Sequence, residues 1–568
     1  MRDRFPPKQE SPLERGESGF SSAQRHHDAR GSRLLAWLIL AALFLATSMQ
    51  RGNAQEAPWH AQIIARWDSY RPILEQEIRN RMTAGDPYVL YDLQLRTDNL
   101  ERYADLNADA GLSHQLSSVY LIPLQYLDPQ EHCWKCGPTH RHTTLRNQEV
   151  VLVSAQYLYI LARHLRHLVS HPIDVSTSPD RAFIAAVPPV LSSHLRRWVL
   201  GSGAQKAFSV RGWGCSDKNL YNHNDFVRRK AARALGTEHS YCNAITDTDV
   251  WIICATVEFL AAHRKAPNLV PLPESTATTL SGYVHEATEA IRSRFQYGTA
   301  KDFSHRDRRV IHFDLGAWDD HPDYRSSGGK NVGWDISHGR RFVQAMLSLS
   351  ENRLVTGSTF PTDEDLRCFA NLLCYVAFNR DFEHPLFTNF LDGTNGRYRQ
   401  YGPYELSESV PTGGYGFLQE KTSDLARLMR SVLAATNAST PSRTAWCASY
   451  YPMSVRDRTL FLLMFLPSIA PREQPRQSCA PGVSRGHPRL FESSSQLVLK
   501  EFKIPSQTLQ HYSPSNIHRL LIETQRCEQI GDEVGSPHKR APQAYSRQYA
   551  EEHRRGGRPR WLTTCSPQ

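Results

Sequence analysis

Between Pro58 and Pro467 apolar residues recur at intervals of three and four, segment after segment, and almost nowhere at intervals of two. A chain patterned this way buries one stripe of each helix rather than one face of each strand, so the body is expected to be mainly α. HAQIIARWDSYRPILEQEIRNRM opens the series. A long helix is predicted over Gln148–Ser170, where Leu152, Tyr157, Leu161, Leu165 and Leu168 fall on overlapping faces. Another is predicted from Asp180 to Leu200, kinked or split by the Pro188-Pro189 pair. Thr246–His263 opens on capping residues and continues as a buried helix. Helices follow over Ser275–Phe295, Ser337–Ser350, Asp363–Phe378 and Lys421–Ala435. The run LFLLMFLP at 460–467 is too short to cross a bilayer and reads as the last buried element.

About ten helices arrive as antiparallel pairs joined by loops of variable length, with no repeat of roughly 20–50 residues that would mark a regular solenoid. An α/α toroid, incomplete or a six-pair helical barrel, fits best. A plain helical bundle is the alternative. The expected organisation is a polar disordered leader over 1–33, a signal peptide or membrane anchor over 34–57, the helical domain over 58–467 and a basic, largely disordered tail over 468–568.

The net charge of +10 is unevenly placed. The tail from residue 471 carries a surplus of six positive charges and the first 33 residues a surplus of two, which leaves +2 for the 437 residues between. A body so nearly neutral argues against a nucleic-acid binder, which concentrates Lys and Arg on its folded surface. Ahead of the body, Arg25, Arg30 and Arg33 precede the 13-residue run LLAWLILAALFLA, Leu34 to Ala46. Its length suits a signal-peptide core, with Gly52 and Ala54 as the small residues before a cleavage point. The 33 residues in front of it are long for such a leader. Either the true start lies downstream of Met1 or the segment stays as an anchor. Both place the body outside the cytoplasm, where some of the eleven cysteines can pair.

Five stretches gather chemistry-bearing residues. In GWDISHGRRF, Asp335 or Ser337 can cap a helix whose first turn holds His338. The positive end of the helix favours the neutral imidazole, which suits a general base. Arg340 and Arg341 follow and can grip a carboxylate. In NFLDGTNGRYRQY, Gly393 and Gly396 break any helix, so Asn389, Asp392, Arg397, Tyr398, Arg399 and Tyr401 share a loop, with Tyr415 close behind in PTGGYGF. Asn and Asp can hold sugar hydroxyls, Arg can neutralise an acidic sugar, and Tyr can stack or donate a proton. In RGWGCSDKNLYNHN and YCNAITDTD, Trp213, His223, Asn224, Tyr241 and Asn243 can line one cleft, and one of Asp247 and Asp249 serves as a helix cap. In HCWKCGPTHRH, Cys133, Cys136, His140 and His142 can be a zinc set, a local disulfide or unligated loop residues. In HFDLGAWDDHPDYR, His312, Asp314, Asp319, Asp320, His321 and Asp323 form an acidic surface loop rather than a calcium site. No cofactor is assigned.

The helix pairs, the DISHG helix start and the Asn/Tyr/Arg/His-rich loops resemble the α/α toroid domains of secreted polysaccharide lyases and uronyl epimerases, over residues 60–440. In those families a Tyr or His removes the C5 proton of a uronic acid while Asn or Arg neutralises its carboxylate. The resemblance implies His338 or His223 as base, Tyr401 or Tyr415 as acid, and Asn224 and Arg399 as neutralisers. The expected function is therefore an exported enzyme acting on a polysaccharide by lyase, epimerase or hydrolase chemistry, touching the membrane only through an uncleaved N-terminal segment. The alternative is a non-catalytic envelope protein that binds glycan or protein.

Overall fold

The computed structural model describes residues 57–171, 178–201, 208, 215–217, 219–319, 321, 324, 330–395, 402–437, 449–451 and 455–471. The leader, Leu34 to Ala46, Trp213, Asp320, Asp323, Arg397, Tyr398, Arg399, Tyr401 and the tail from residue 472 lie outside them. From Gln62 onward the described chain forms one compact unit, while residues up to Ala61 fall in a separate N-terminal one.

The helices are α1 (Ala57–Thr83), α2 (Val89–Asn107), α3 (Ala110–Leu121), α4 (Val151–Ser170), α5 (Ser178–Leu195), α6 (His223–Ala231), α7 (Asp247–Lys265) and α8 (Glu274–Arg292). A hairpin follows, β1 (Phe295–Lys301) and β2 (Asp307–Phe313), then α9 (Ile336–Glu351), α10 (Asp363–Leu372), α11 (Ser423–Thr436) and α12 (Val455–Ile469). The fold is mainly α, as the periodicity requires. No helix among the described residues is long and apolar enough to cross a membrane.

α7 is the centre. Every residue from Asp249 to Ala262 is buried, as a helix that is apolar on all sides must be. Thr246 caps it, and Asp249 three residues on returns a hydrogen bond to the cap backbone. α4 and α9 pack along α7, α2 packs on α4, and α12 packs on α2. The shorter α3 and α5 lie against each other, and α8 lies on α6 and α7.

Unusually many polar side chains are buried where α2, α4, α7 and α9 meet. Gln344 joins three of these helices. Its carbonyl oxygen accepts from Arg102 Nε at 3.3 Å and Arg163 at 3.4 Å, and its amide donates to Asn99 at 3.0 Å. Asn99 in turn donates to the carbonyls of Thr412 and Met464, the latter on α12. Arg166 on α4 pairs with Asp105 of α2 at 2.7 Å and Glu258 of α7 at 2.5 Å. Removing one member of such a pair strands a buried charge, at a cost of about 3–5 kcal/mol.

Two expectations need correction, the end of α8 and the acidic segment that follows the hairpin. Of the two outcomes expected at Pro188-Pro189, the split is excluded: α5 runs on through the pair and ends in a wide turn at Arg196–Leu200. One of the carbonyls orphaned by that pair belongs to Ala185, which is exposed and so open to water. The helix expected to reach Phe295 stops at Arg292, and an antiparallel hairpin with Phe295 opposite Phe313 begins there. Asp302 forms its turn by accepting the backbone N–H groups of Ser304 and Arg306. Of the readings open for Cys133 and Cys136, the local disulfide is excluded, since both are buried free thiols, while Cys215 and Cys242 form a disulfide. The segment read as an acidic surface loop begins inside the protein. Asp314 is buried against Arg294 and accepts the backbone N–H of Ile245.

Candidate functional site

Asp335 organises the strongest of the sequence-derived constellations. It is fully buried and caps α9, accepting the N–H groups of Ser337 and His338 at 3.1 Å each. Its second oxygen accepts Tyr324 Oη at 2.8 Å and lies 2.6 Å from His338 Nδ1. Burial alone would push this carboxyl up. The charge and hydrogen bond of His338, with those from Ser337 and Tyr324, prevail and hold it well below the usual carboxylate range. An ionised Asp335 keeps the imidazole proton on Nδ1 and turns the lone pair to Nε2, the orientation a general base needs. The His338 side chain is 28% exposed, so the pair meets solvent on one side.

The Asn389–Asp392 loop is stitched to this helix start. Ile336 donates to the Asn389 carbonyl at 2.8 Å, Leu391 donates to the Trp334 carbonyl at 2.8 Å, and Gly333 donates to Asp392 at 2.6 Å. Gly339 is small because the loop and Tyr415 crowd it. A Cβ there would stand 2.6 Å from Leu391 Cδ1 and 3.3 Å from the Tyr415 hydroxyl. Tyr415 is fully buried and its hydroxyl has no hydrogen-bond partner among the described residues. Burial, then the charge of Asp335, push that phenol far up against the pull of Arg340, so it stays protonated. Two of the four residues expected to be catalytic, His338 and Tyr415, therefore meet at one helix start, with Asp335 and Arg340 beside them.

Glu408 is a member of this neighbourhood that the sequence reading passed over. Burial and the nearby Asp457 push its carboxyl up to about 7, against the pull of Arg340. A carboxyl near neutrality suits a proton donor. No spacing or motif in YELSESVPTGG marks it.

An aromatic wall leads to the pair. Trp334 lies 6.2 Å from the His338 ring and edge-on to Trp318 at 5.5 Å. Trp318 meets His321, His321 meets Tyr241 at 4.9 Å, and Tyr241 stacks on His239 at 4.9 Å. Tyr241 is thus joined through ring contacts to the Trp334 side, rather than to the His223 and Asn224 with which the sequence grouped it.

Other expected site residues do structural work. His223 is wholly enclosed. Its Nδ1 meets Tyr283 Oη at 2.7 Å and its Nε2 meets Asp249 at 3.3 Å, while Asp249 also holds Lys230 at 2.9 Å. Burial pushes the His223 imidazole down against the pull of Asp249. A base so enclosed cannot reach a substrate carbon, so His223 braces α6, α7 and α8. Asn243 closes its own loop through Leu235 and Thr237. Asn389 holds Gly402 and Leu406. Asp392 ties the loop to Gly333. Arg341 is buried against Asp247 and the Ser337 carbonyl. Asn224 donates to Glu286 at 2.9 Å and faces a separate groove of about 1170 Å³ between α5, α6 and α8. Beside Arg340 and Gln344 the cavity is only about 20 Å³, room for one water.

No protein-family model, curated protein or solved structure matches the chain.

Proposed function

We propose that the chain is an exported carbohydrate-active enzyme, with acid/base chemistry on a polysaccharide carried by Asp335 and His338. One observation carries the reading: a buried, ionised carboxylate orients a mostly buried histidine, open to solvent on one side, at a helix start. Glu408, near neutrality and next to Arg340, is the group able to return the proton, Tyr415 is enclosed and serves only to pack the helix start, and Arg340 offers a cation for a sugar carboxylate. Of the aromatic wall, Trp318 is partly exposed and supplies a face for a pyranose ring, while Tyr241 and Trp334 are buried behind it. In this reading the helices α2, α4, α7, α9 and α12, which pack in series, are the inner members of an α/α toroid. Export rests on the apolar run from Leu34 to Ala46 and on the Cys215–Cys242 disulfide, a bond that persists in oxidising compartments.

The test is a panel of uronate polymers incubated with the purified full chain. Absorbance of an unsaturated product reports lyase action, proton exchange at C5 reports epimerase action and new reducing ends report hydrolysis. Activity in one assay that disappears in His338→Ala supports the reading. Silence in all three sinks it. A second reading, a non-catalytic glycan-binding protein, is favoured by the one-water cavity beside Arg340. Glycan retention without turnover would establish it.

A further inference from the structure

The seam between α2 and α4 holds a cluster that the candidate active site does not use. On α4, His164 and His167 fall at i and i+3 on one stripe, and His171 follows as the residue that ends the helix. On α2, Glu101 and Asp105 fall at i and i+4 and face that stripe. Glu101, His164 and His167 are entirely buried. Each offers one ligand atom, and these lie within 4.8 Å of one another.

The hydrogen bonds around the two inner imidazoles fix which nitrogen carries the proton. Ser117 Oγ donates its one proton to Asp180 at 2.6 Å, so at 2.9 Å it accepts from His164 Nε2. Ser113 Oγ donates to the Asp109 carbonyl at 2.7 Å, so at 3.3 Å it accepts from His167 Nε2. Both imidazoles therefore carry Nε2–H, and in the neutral tautomer both Nδ1 lone pairs point inward. They point at the same carboxylate oxygen. Glu101 Oε1 lies 3.6 Å from His164 Nδ1 and 3.2 Å from His167 Nδ1. The other oxygen, Oε2, faces Arg163 Nε at 2.9 Å. His164 Nδ1 has no hydrogen-bond partner.

Two nitrogens and one oxygen converge on one point, and a cation between them satisfies all three. His167 Nδ1 is within hydrogen-bond reach of the oxygen at 3.2 Å, but a proton there serves one nitrogen and leaves His164 Nδ1 unmet at 3.6 Å. Two atoms bound at about 2.1 Å to a tetrahedral ion stand instead about 3.4 Å apart, the spacing that 3.2 and 3.6 Å bracket. The charge balance agrees. Asp98, Glu101, Asp105, Glu258 and Glu351 meet three guanidinium groups, Arg102, Arg163 and Arg166, which leaves an excess of negative charge.

The geometry points to a buried divalent transition-metal site formed by Glu101 Oε1, His164 Nδ1 and His167 Nδ1, clipping α2 to α4. Two imidazoles and one carboxylate suit Zn²⁺. Ser117 and Ser113 orient the ligands through their far nitrogens, as partners outside a metal's own ligand set do. Asp105 and His171 stand 3.1 Å apart and are partly exposed, at 12% and 29%. With His167 they form a second triad whose ligand atoms also lie within 4.8 Å.

The experiment uses the full chain, stripped with chelator and titrated with Zn²⁺, with bound metal read by elemental analysis. The expected result is about one Zn²⁺ per chain and a higher melting temperature, because a ligand that binds only the folded state stabilises it. Glu101→Gln and His167→Ala, where they stay helical, should lose at least about nine-tenths of that metal, while Cys133→Ser with Cys136→Ser should keep it. Should the core variants fail to fold, Co²⁺ loaded into the wild-type chain decides. Visible bands of a tetrahedral nitrogen and oxygen site, without a thiolate charge-transfer band, support the assignment. A folded wild-type chain that takes up no metal overturns it, as do a thiolate band and metal retained in a folded His167→Ala chain. Loss of the metal in His171→Ala with retention in His164→Ala moves the ion to the outer triad and overturns it too.

Discussion

Replacing Asp249 with Asn keeps the shape of the first turn of α7 and strips the charge against which Lys230 is buried. Asp249 and Lys230 are 1% and 2% exposed, with Lys230 Nζ at 2.9 Å. Asp249 also meets His223 Nε2 at 3.3 Å and takes the Thr246 backbone N–H at 2.7 Å. Breaking a buried pair by neutralising one partner costs about 3–5 kcal/mol. Weakening the capping box adds about 1 kcal/mol at most, because Asn still accepts at the cap. A total near 4 kcal/mol, with a urea slope of about 3–4 kcal/mol per M for a body of this size, lowers the unfolding midpoint by about 1 M. Helical circular dichroism against urea measures this. The double variant Asp249→Asn with Lys230→Met sharpens it, because removing both charges is close to neutral where removing one is not. It should regain at least about half of the loss. A midpoint within about 0.2 M of wild type for the single variant would refute the reasoning, as would strict additivity in the double variant.

Asp335→Asn keeps the helix cap, since Asn accepts there as well, but no longer dictates the His338 tautomer. Turnover on any active glycan should fall about 10²–10⁴-fold with little change in melting temperature, and a wild-type rate removes Asp335 from the mechanism. Glu149 is held at about 2 by His194 and Arg197 against the upward push of burial. A lowered carboxylate pKa gives stability that is complete above about 4.5 and lost as the pH falls toward 2. Glu149→Gln should therefore remove about 3 kcal/mol at pH 7 and almost nothing near pH 2, which urea midpoints at the two pH values would show. Cys215→Ser opens a loop of 27 residues and should cost about 3–4 kcal/mol. Thiol-specific mass labelling under native conditions should show Cys242 becoming reactive in that variant alone.

Helices that bury an apolar stripe were legible from the residues. α7 and α9 were found with their caps, because VWIICATVEFLAAH and DISHG carry the signals on their surface. α2 was not visible. It buries Gln94, Thr97, Asp98, Asn99, Glu101 and Arg102, so the residues facing inward are polar and the stripe vanishes from a hydropathy pattern. The hairpin escaped for a related reason. One face of β1 is solvent-exposed, and Gly298 and Ala300 dilute its alternation. At the candidate site, Asp335 as cap and His338 in the first turn followed from residue types at a helix start, whereas Tyr415 belonged to a separate loop and its approach to Gly339 depends on tertiary packing. The bracing role of His223 did not, because it depends on Tyr283, which lies 60 positions away. The histidine stripe of α4 was inside a correctly placed helix, yet its meaning rests on Glu101, 63 positions earlier on a helix that was not seen.

Gln344 gives the long-range contacts a cooperative character. Its hydrogen bonds to Arg163, Arg102 and Asn99 span 181, 242 and 245 positions of sequence. α9 cannot leave its place without stranding polar groups on α2 and α4 together. Backbone amides in the three helices should therefore share one opening free energy in native-state hydrogen exchange, rather than fraying helix by helix. Contacts of such separation close only after the intervening chain is ordered, so this amide is among the last groups to find its partners as the protein folds.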